Sequence, residues 1–224
     1  MEATYSKRVG RMTWRGEQPA AFKAGLAEVR FNREKDPVGA LSTLSSVYYS
    51  YASYRLRNDL RGNFFRKMLV KLHVIWLAFQ AMRASDRMVH FAGGLKHLTV
   101  NQLDVRQSVL RRVHLWGAAD KAIRMAFEKF NKDTGKVHTK ALLLIGRAEI
   151  FAHVGDRRMF SFYEAAENLI PEIGEDREYR QLARVCRHLE EHYLYTGHEY
   201  DAMEMRNKKE WATRKAEEKE ALEN

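Results

Sequence analysis

The chain has 224 residues, with 39 Lys and Arg against 29 Asp and Glu, a formal net charge of +10, 13 Gly, 3 Pro and a single Cys. One cysteine excludes an internal disulfide, and so few glycines and prolines argue against a turn-rich all-β fold. The longest apolar run, Met68 to Phe79, is interrupted by Lys71 and His73 and falls short of the ~20 residues a membrane span needs.

With no signal peptide and one thiol, the chain is expected in a reducing compartment, cytoplasmic or otherwise intracellular. Cys186 reads as a small core residue. Charge is uneven along the chain. Residues 1–70 carry 13 Lys and Arg against 6 Asp and Glu, residues 71–138 carry 12 against 5, and residues 139–224 carry 14 against 18. The first two thirds therefore suit an acidic partner, whether an acidic protein or peptide, nucleic acid or a membrane surface, or else form a solvated basic face.

In chain order, residues 1–17 interleave Lys7, Arg8, Arg11 and Arg15 with Tyr5 and Trp14 and show no sustained apolar period, so they read as a basic arm. Residues 18–34 are amphipathic. Asp36 and Pro37 then open a helix running to Asn58, since aspartate caps and proline is tolerated in a first turn. That helix carries Tyr48, Tyr49, Tyr51 and Tyr54 around its circumference; they cannot all be core, and Tyr48 and Tyr51 are candidates for a binding surface. A break at residues 61–63 precedes a helix over 64–84, apolar on most sides and expected to be central. Ser85-Asp86 offers a cap for a return helix over 87–98, in which Gly93-Gly94 marks a kink or an end.

Further helices are predicted over 101–116, 119–132, 136–154, 157–169, 176–196 and from Glu199 to near the end, about ten in all. Domain boundaries follow: an arm over 1–17, one helical domain over 18–215 and a frayed charged tail over 216–224. Gly117, Gly155 and Gly197 each stand between two such segments as recurring helix ends. Four residues before them come Val113, Phe151 and Tyr193, and five after come Ala122, Phe160 and Ala202.

These positions resemble the tetratricopeptide repeat, a pair of antiparallel helices with a turn glycine, small residues and a closing proline. The likeness rests on Gly117-Ala118-Ala119-Asp120-Lys121-Ala122-Ile123 with Phe127 and Phe130, on Ala148, Phe151, Gly155, Asp156 and Pro171, and on Gly197, Tyr200 and Ala202. The chain departs from the pattern in three ways: the spacing between glycines exceeds the usual ~34 residues, Phe160 replaces an alanine, and Glu190 stands at a small position. The resemblance implies an all-α stack of antiparallel hairpins, an α-solenoid, with a concave wall formed by the first helix of each. That wall falls on Asp104, Gln107, Arg111 and His114, then Glu149 and His153, then Arg184, Arg187, Glu191 and Tyr195. It implies a non-enzymatic adaptor or scaffold that holds a protein or peptide. The Lys and Asn set with which some relatives clamp a peptide carboxylate is missing.

Two other readings stand beside it. A nucleic-acid-binding protein would use Lys7, Arg8, Arg11 and Arg15 with Arg111 and Arg112 on phosphates. His188-Leu189-Glu190-Glu191-His192 fits the H-x-x-E-H string of inverted zinc proteases, in which His188 and His192 would hold zinc and Glu191 act as base, given a third ligand from elsewhere. No phosphate loop, dinucleotide fingerprint or nucleophile elbow occurs, so neither cofactor nor metal is expected.

Overall fold

The computed structural model describes residues 18–60, 63–130, 136–175 and 178–222. The basic arm, the break at residues 61 and 62 and the polar stretch 131–135 lie outside them. Among the described residues the protein is all-helical, with no strand. No helix among them is long and apolar enough to cross a membrane. The described residues group into two compact units, one ending at Met125 and the other beginning at Ala126, within the helix Trp116–Phe130, and most helices find their main packing partners among near neighbours in the chain.

In the first unit, α1 (Gln18–Asn32), α2 (Pro37–Asn58), α3 (Phe64–Phe91) and α4 (Val100–Arg112) form the packed body. Asp36 caps α2 as expected, its carboxylate accepting from the Gly39 amide at 2.9 Å. Asn63 caps α3 by accepting from the Arg66 amide at 3.0 Å. α2 lies along α3 and also meets α1, whose approach depends on Gly25: a Cβ there would sit 2.5 Å from a Val47 methyl. The buried Ser45 hydroxyl donates to the Ala81 carbonyl at 2.9 Å and ties α2 to α3. α4 is tied to both, through Arg106 to Ser85 and Asp86 at 2.9 Å each and through Arg112 to Ser53 at 2.9 Å.

Two expectations fail in this unit. Ser85-Asp86 does not open a helix; α3 runs straight through to Phe91, because Ser85 is buried and both residues are engaged sideways by Arg106. Gly93 and Gly94, with φ of 75° and 121°, end the helix, and a short 3-10 turn over Leu95–His97 leads to a Thr99/Gln102 capping box that starts α4. Nor does Gly117 end a helix. The chain turns at His114, which takes φ 60°, and Gly117 already lies in the first turn of α5 (Trp116–Phe130). An imidazole at positive φ is uncommon but tolerated more readily than a branched side chain.

The second unit contains α6 (Val137–His153), α7 (Arg158–Glu167), the short α8 (Ile170–Glu175), α9 (Tyr179–Thr196) and α10 (Glu199–Leu222). Gly155 and Gly197, with φ of 70° and 80°, do terminate α6 and α9 as the sequence indicates. α6 packs on α7, α9 packs on α10, and α9 also meets α6, α7 and α8. The core is built from Ala141, Leu143, Ile145 and Ala148 on α6, Val185, Cys186 and Leu189 on α9, and Ala202 and Met205 on α10. Ala202 is buried where a small residue was expected, whereas Phe160 is 46 % exposed. Pro171 sits in the first turn of α8. α10 stays helical to Leu222, past the boundary at 215, with Ala212 and Ala216 buried along it.

Candidate functional site

The most unusual surface belongs to α3. Its packed side carries Val70, Leu77, Ala81, Ala84, Ser85 and Met88. On the opposite side, at three- and four-residue spacing, stand Phe64, Phe65, Met68, Leu69, Leu72, Ile75, Trp76 and Phe79, all exposed, from 39 % at Met68 to 82 % at Phe64. A helix apolar on most sides was expected to be central; here one face is buried and the other is open. At about 200 Å² per large side chain, that face offers on the order of 1,000 Å² of mostly apolar surface, well beyond the roughly 300–600 Å² of the largest patch on a typical monomer.

The face has a charged border. Lys71 and Arg83 are exposed along it on the same helix, and no Asp or Glu occurs between Asp59 and Asp86. The Arg83 guanidinium lies 5.9 Å from the Phe79 ring centre, capping the far end of the stripe. Beside it runs an aromatic cluster. Phe22 stacks on Tyr51 at 4.4 Å and meets Tyr48 edge-on at 5.6 Å, Tyr48 meets Trp76 edge-on at 6.0 Å, and His73 lies 5.9 Å from Trp76. Tyr48 and Tyr51 are thus half-buried in the seams between α1, α2 and α3, which locks the base of Trp76. Burial, and then Arg55, hold the His73 imidazole below its ordinary value.

The residues expected to line a concave wall divide. Asp104, Gln107 and Arg111 are buried, contrary to their polar, exposed type. Gln107 donates to Asp104 at 2.8 Å and accepts from Arg111 at 2.6 Å, so the three form a chain of hydrogen bonds along α4 that satisfies one another in the interior. His114 stands in the turn after α4, exposed. In the second unit Glu149 of α6 comes within 3.7 Å of His188 of α9. Arg187 and Glu191 pair loosely at 4.0 Å along α9, Arg184 is half-buried on the same helix, and Tyr195 is 86 % exposed one turn beyond. His153 is exposed at the last position of α6. Arg184, Arg187, Glu191 and Tyr195 share one side of α9.

Glu190 occupies the place where the repeat pattern calls for a small residue, and the structure shows how it fits. Its buried carboxylate accepts from Arg206 at 2.8 Å and Lys209 at 2.5 Å, both on α10. Burial alone would raise its pKa, but those two cations outweigh it and hold the carboxyl below its ordinary range.

The H-x-x-E-H string is split by its surroundings. His188 faces Glu149, Glu191 faces Arg187, and His192 is buried against the Tyr163 ring, with centroids 3.6 Å apart. Burial, and then the neighbouring His198, push the His192 imidazole down to about 4. Among the described residues no three His, Cys, Asp or Glu side chains converge as a metal site. Cys186 is fully buried and its thiol is pushed up to about 12, chiefly by burial, which suits a packing role. Of the cations assigned to phosphate contact, Arg111 is in the interior network, Arg112 is held by Ser53 and lies 5.9 Å from the Tyr49 ring centre, and the four of the arm fall outside the described residues.

No known family model, curated protein or solved structure matches this chain. What the chain does must therefore be read from its own surfaces. The apolar face of α3 is the feature that sequence reasoning missed, because a helix buried on one side and bare on the other has no single hydrophobic direction. The signal was available in the even spacing of Phe65, Leu69, Leu72, Trp76 and Phe79 opposite Val70, Leu77 and Ala81.

Proposed function

We propose that this chain is a non-enzymatic binding adaptor. Its basic first unit docks through the outward face of α3, and its second unit offers the polar side of α9 to a protein or peptide. The observation that carries this reading is the α3 face itself: keeping that many large apolar side chains in water is unfavourable, and a covering partner recovers the cost. The hairpins closed by Gly155 and Gly197 are in keeping with a tetratricopeptide-like arrangement, a frame used to present helix faces. Arg184, Arg187, Glu191 and Tyr195 supply the kind of polar and aromatic side chains that recur at binding surfaces. Nucleic acid is the weaker reading, since Arg111 and Arg112 are already engaged.

The test is association with an unfractionated cell extract, membranes included. The wild-type chain is expected to retain material that a Leu72→Glu/Ile75→Glu variant does not, and to lose a separate protein component on Arg187→Ala/Tyr195→Ala substitution. Identical retention by the wild type and the α3 variant, both folded by circular dichroism, would sink the reading.

A further inference from the structure

We infer that the partner of the α3 face is an anionic lipid surface, on which the helix lies flat; this rests on the reading of that face as a docking surface. Three features select a lipid leaflet over a protein or a second copy. The first is shape. Leu69, Leu72, Ile75 and Trp76 project from the back of a helix as a ridge, whereas a protein hot spot is anchored in pockets and held in register by polar groups. Apart from the indole N–H of Trp76, this ridge offers no hydrogen-bonding group that would fix a register. A fluid hydrocarbon surface needs none.

The second feature is charge. Lys71 flanks the ridge and Arg83 closes its end, with no carboxylate on α3 before Asp86. An amphipathic helix seated in a bilayer interface has this plan, with aromatic and aliphatic side chains facing the acyl region while long cationic side chains reach back to the phosphates. An antiparallel second copy would set the Lys71 flank of one chain against the same flank of the other, like charge on like. The third is depth. α3 is fastened to α2 along its other side, so only the ridge is free to enter, as a helix lying on a membrane requires.

The full chain should be tested by co-sedimentation with phosphatidylcholine vesicles, with and without about one third phosphatidylserine. Partition into the anionic vesicles is expected to exceed that into neutral ones by about ten-fold or more, and to fall with salt. Leu72→Glu/Ile75→Glu should abolish it, and Lys71→Glu/Arg83→Glu should weaken it about thirty-fold or more. These positions are exposed, so both variants should keep the helical spectrum and melting point of the wild type. Tryptophan emission should shift to the blue on binding, and the shift should shrink in Trp76→Phe.

Absence of vesicle binding, equal binding to neutral and anionic vesicles, or full binding by the Leu72→Glu/Ile75→Glu variant would overturn the inference. So would a wild-type dimer that this variant converts to monomer while neither binds vesicles. If vesicles fail but a protein from the extract is still retained through α3, the lipid assignment falls and the adaptor reading survives. If neither associates, both fall.

Discussion

His192 shows how one buried ring ties stability to pH. It is stacked on Tyr163 and held at about 4 by burial and then by His198, against an ordinary value of 6.5. Above that ordinary value the ring is neutral in both folded and unfolded chains, so the shift costs nothing. As pH falls below it, the unfolded chain takes a proton that the folded chain refuses, and stability drops until the folded value is reached. The melting temperature is therefore expected to decline from about pH 6.5 towards pH 5, ahead of the ordinary range of carboxylates. His192→Phe keeps an aromatic ring against Tyr163 and removes the titration, so its profile should be flatter in that window. Residual slope is expected from His138 and His73, which burial also holds low. A His192→Phe profile parallel to wild type would show that the ring is solvated.

At the scale of the element, the two glycine-like turns make a contrast that mutation can read. Gly197 has φ 80° and open space around a would-be Cβ, so Gly197→Ala meets no clash but must hold a left-handed backbone; it is expected to cost about 1 kcal/mol in urea denaturation. Gly117 also has open space but lies in the first turn of α5, so Gly117→Ala should be neutral or stabilising by about 0.5 kcal/mol. Equal losses at both sites would contradict the turn at His114. The same logic divides α3: Leu77→Ala, on its fully buried side, should cost about 2–5 kcal/mol, while Leu72→Ala on the open side should change stability by less than about 0.5 kcal/mol.

These elements also mark how far sequence reasoning reaches. Helix identity was legible nearly throughout, because apolar spacing and the scarcity of glycine and proline are local properties. Gly155, Gly197 and Asp36 were legible for the same reason: each solves a problem within its own few residues. The positions misread depend on partners distant in sequence. Ser85 and Asp86 have a cap's chemistry, but Arg106 of α4 draws them into a continuous helix. Asp104, Gln107 and Arg111 look like surface residues until one sees that they satisfy one another. The α3 ridge is the extreme case. Leu72 and Leu77 are the same residue type five positions apart, and only the placement of α2 decides which is core.

For the whole molecule, charge follows the division into units. Residues 1–125 carry 22 Lys and Arg against 9 Asp and Glu, a net of +13, while residues 126–224 carry 17 against 20, a net of −3. The field that attracts an acidic partner therefore belongs to the unit that bears the α3 ridge, and long-range attraction and short-range contact would act on the same side of the chain's business. Total charge and charge position can be separated. Deleting residues 1–15 removes Lys7, Arg8, Arg11 and Arg15 together with Glu2, a loss of three net charges, and leaves the first unit at +10. Lys71→Glu/Arg83→Glu changes the net by four, a similar amount, but places the change on the border of the ridge. If the field alone mattered, the two variants would slow association with phosphatidylserine vesicles about equally. If the ridge is the contact, deletion should reduce mainly the association rate, and chiefly below physiological salt, where exposed charges act beyond roughly 8–10 Å. The reversal should in addition speed dissociation at every salt concentration, because Lys71 and Arg83 touch the bound surface. Stopped-flow mixing at low and physiological salt separates the two rates, and a dissociation rate unchanged by the reversal would move the contact away from α3.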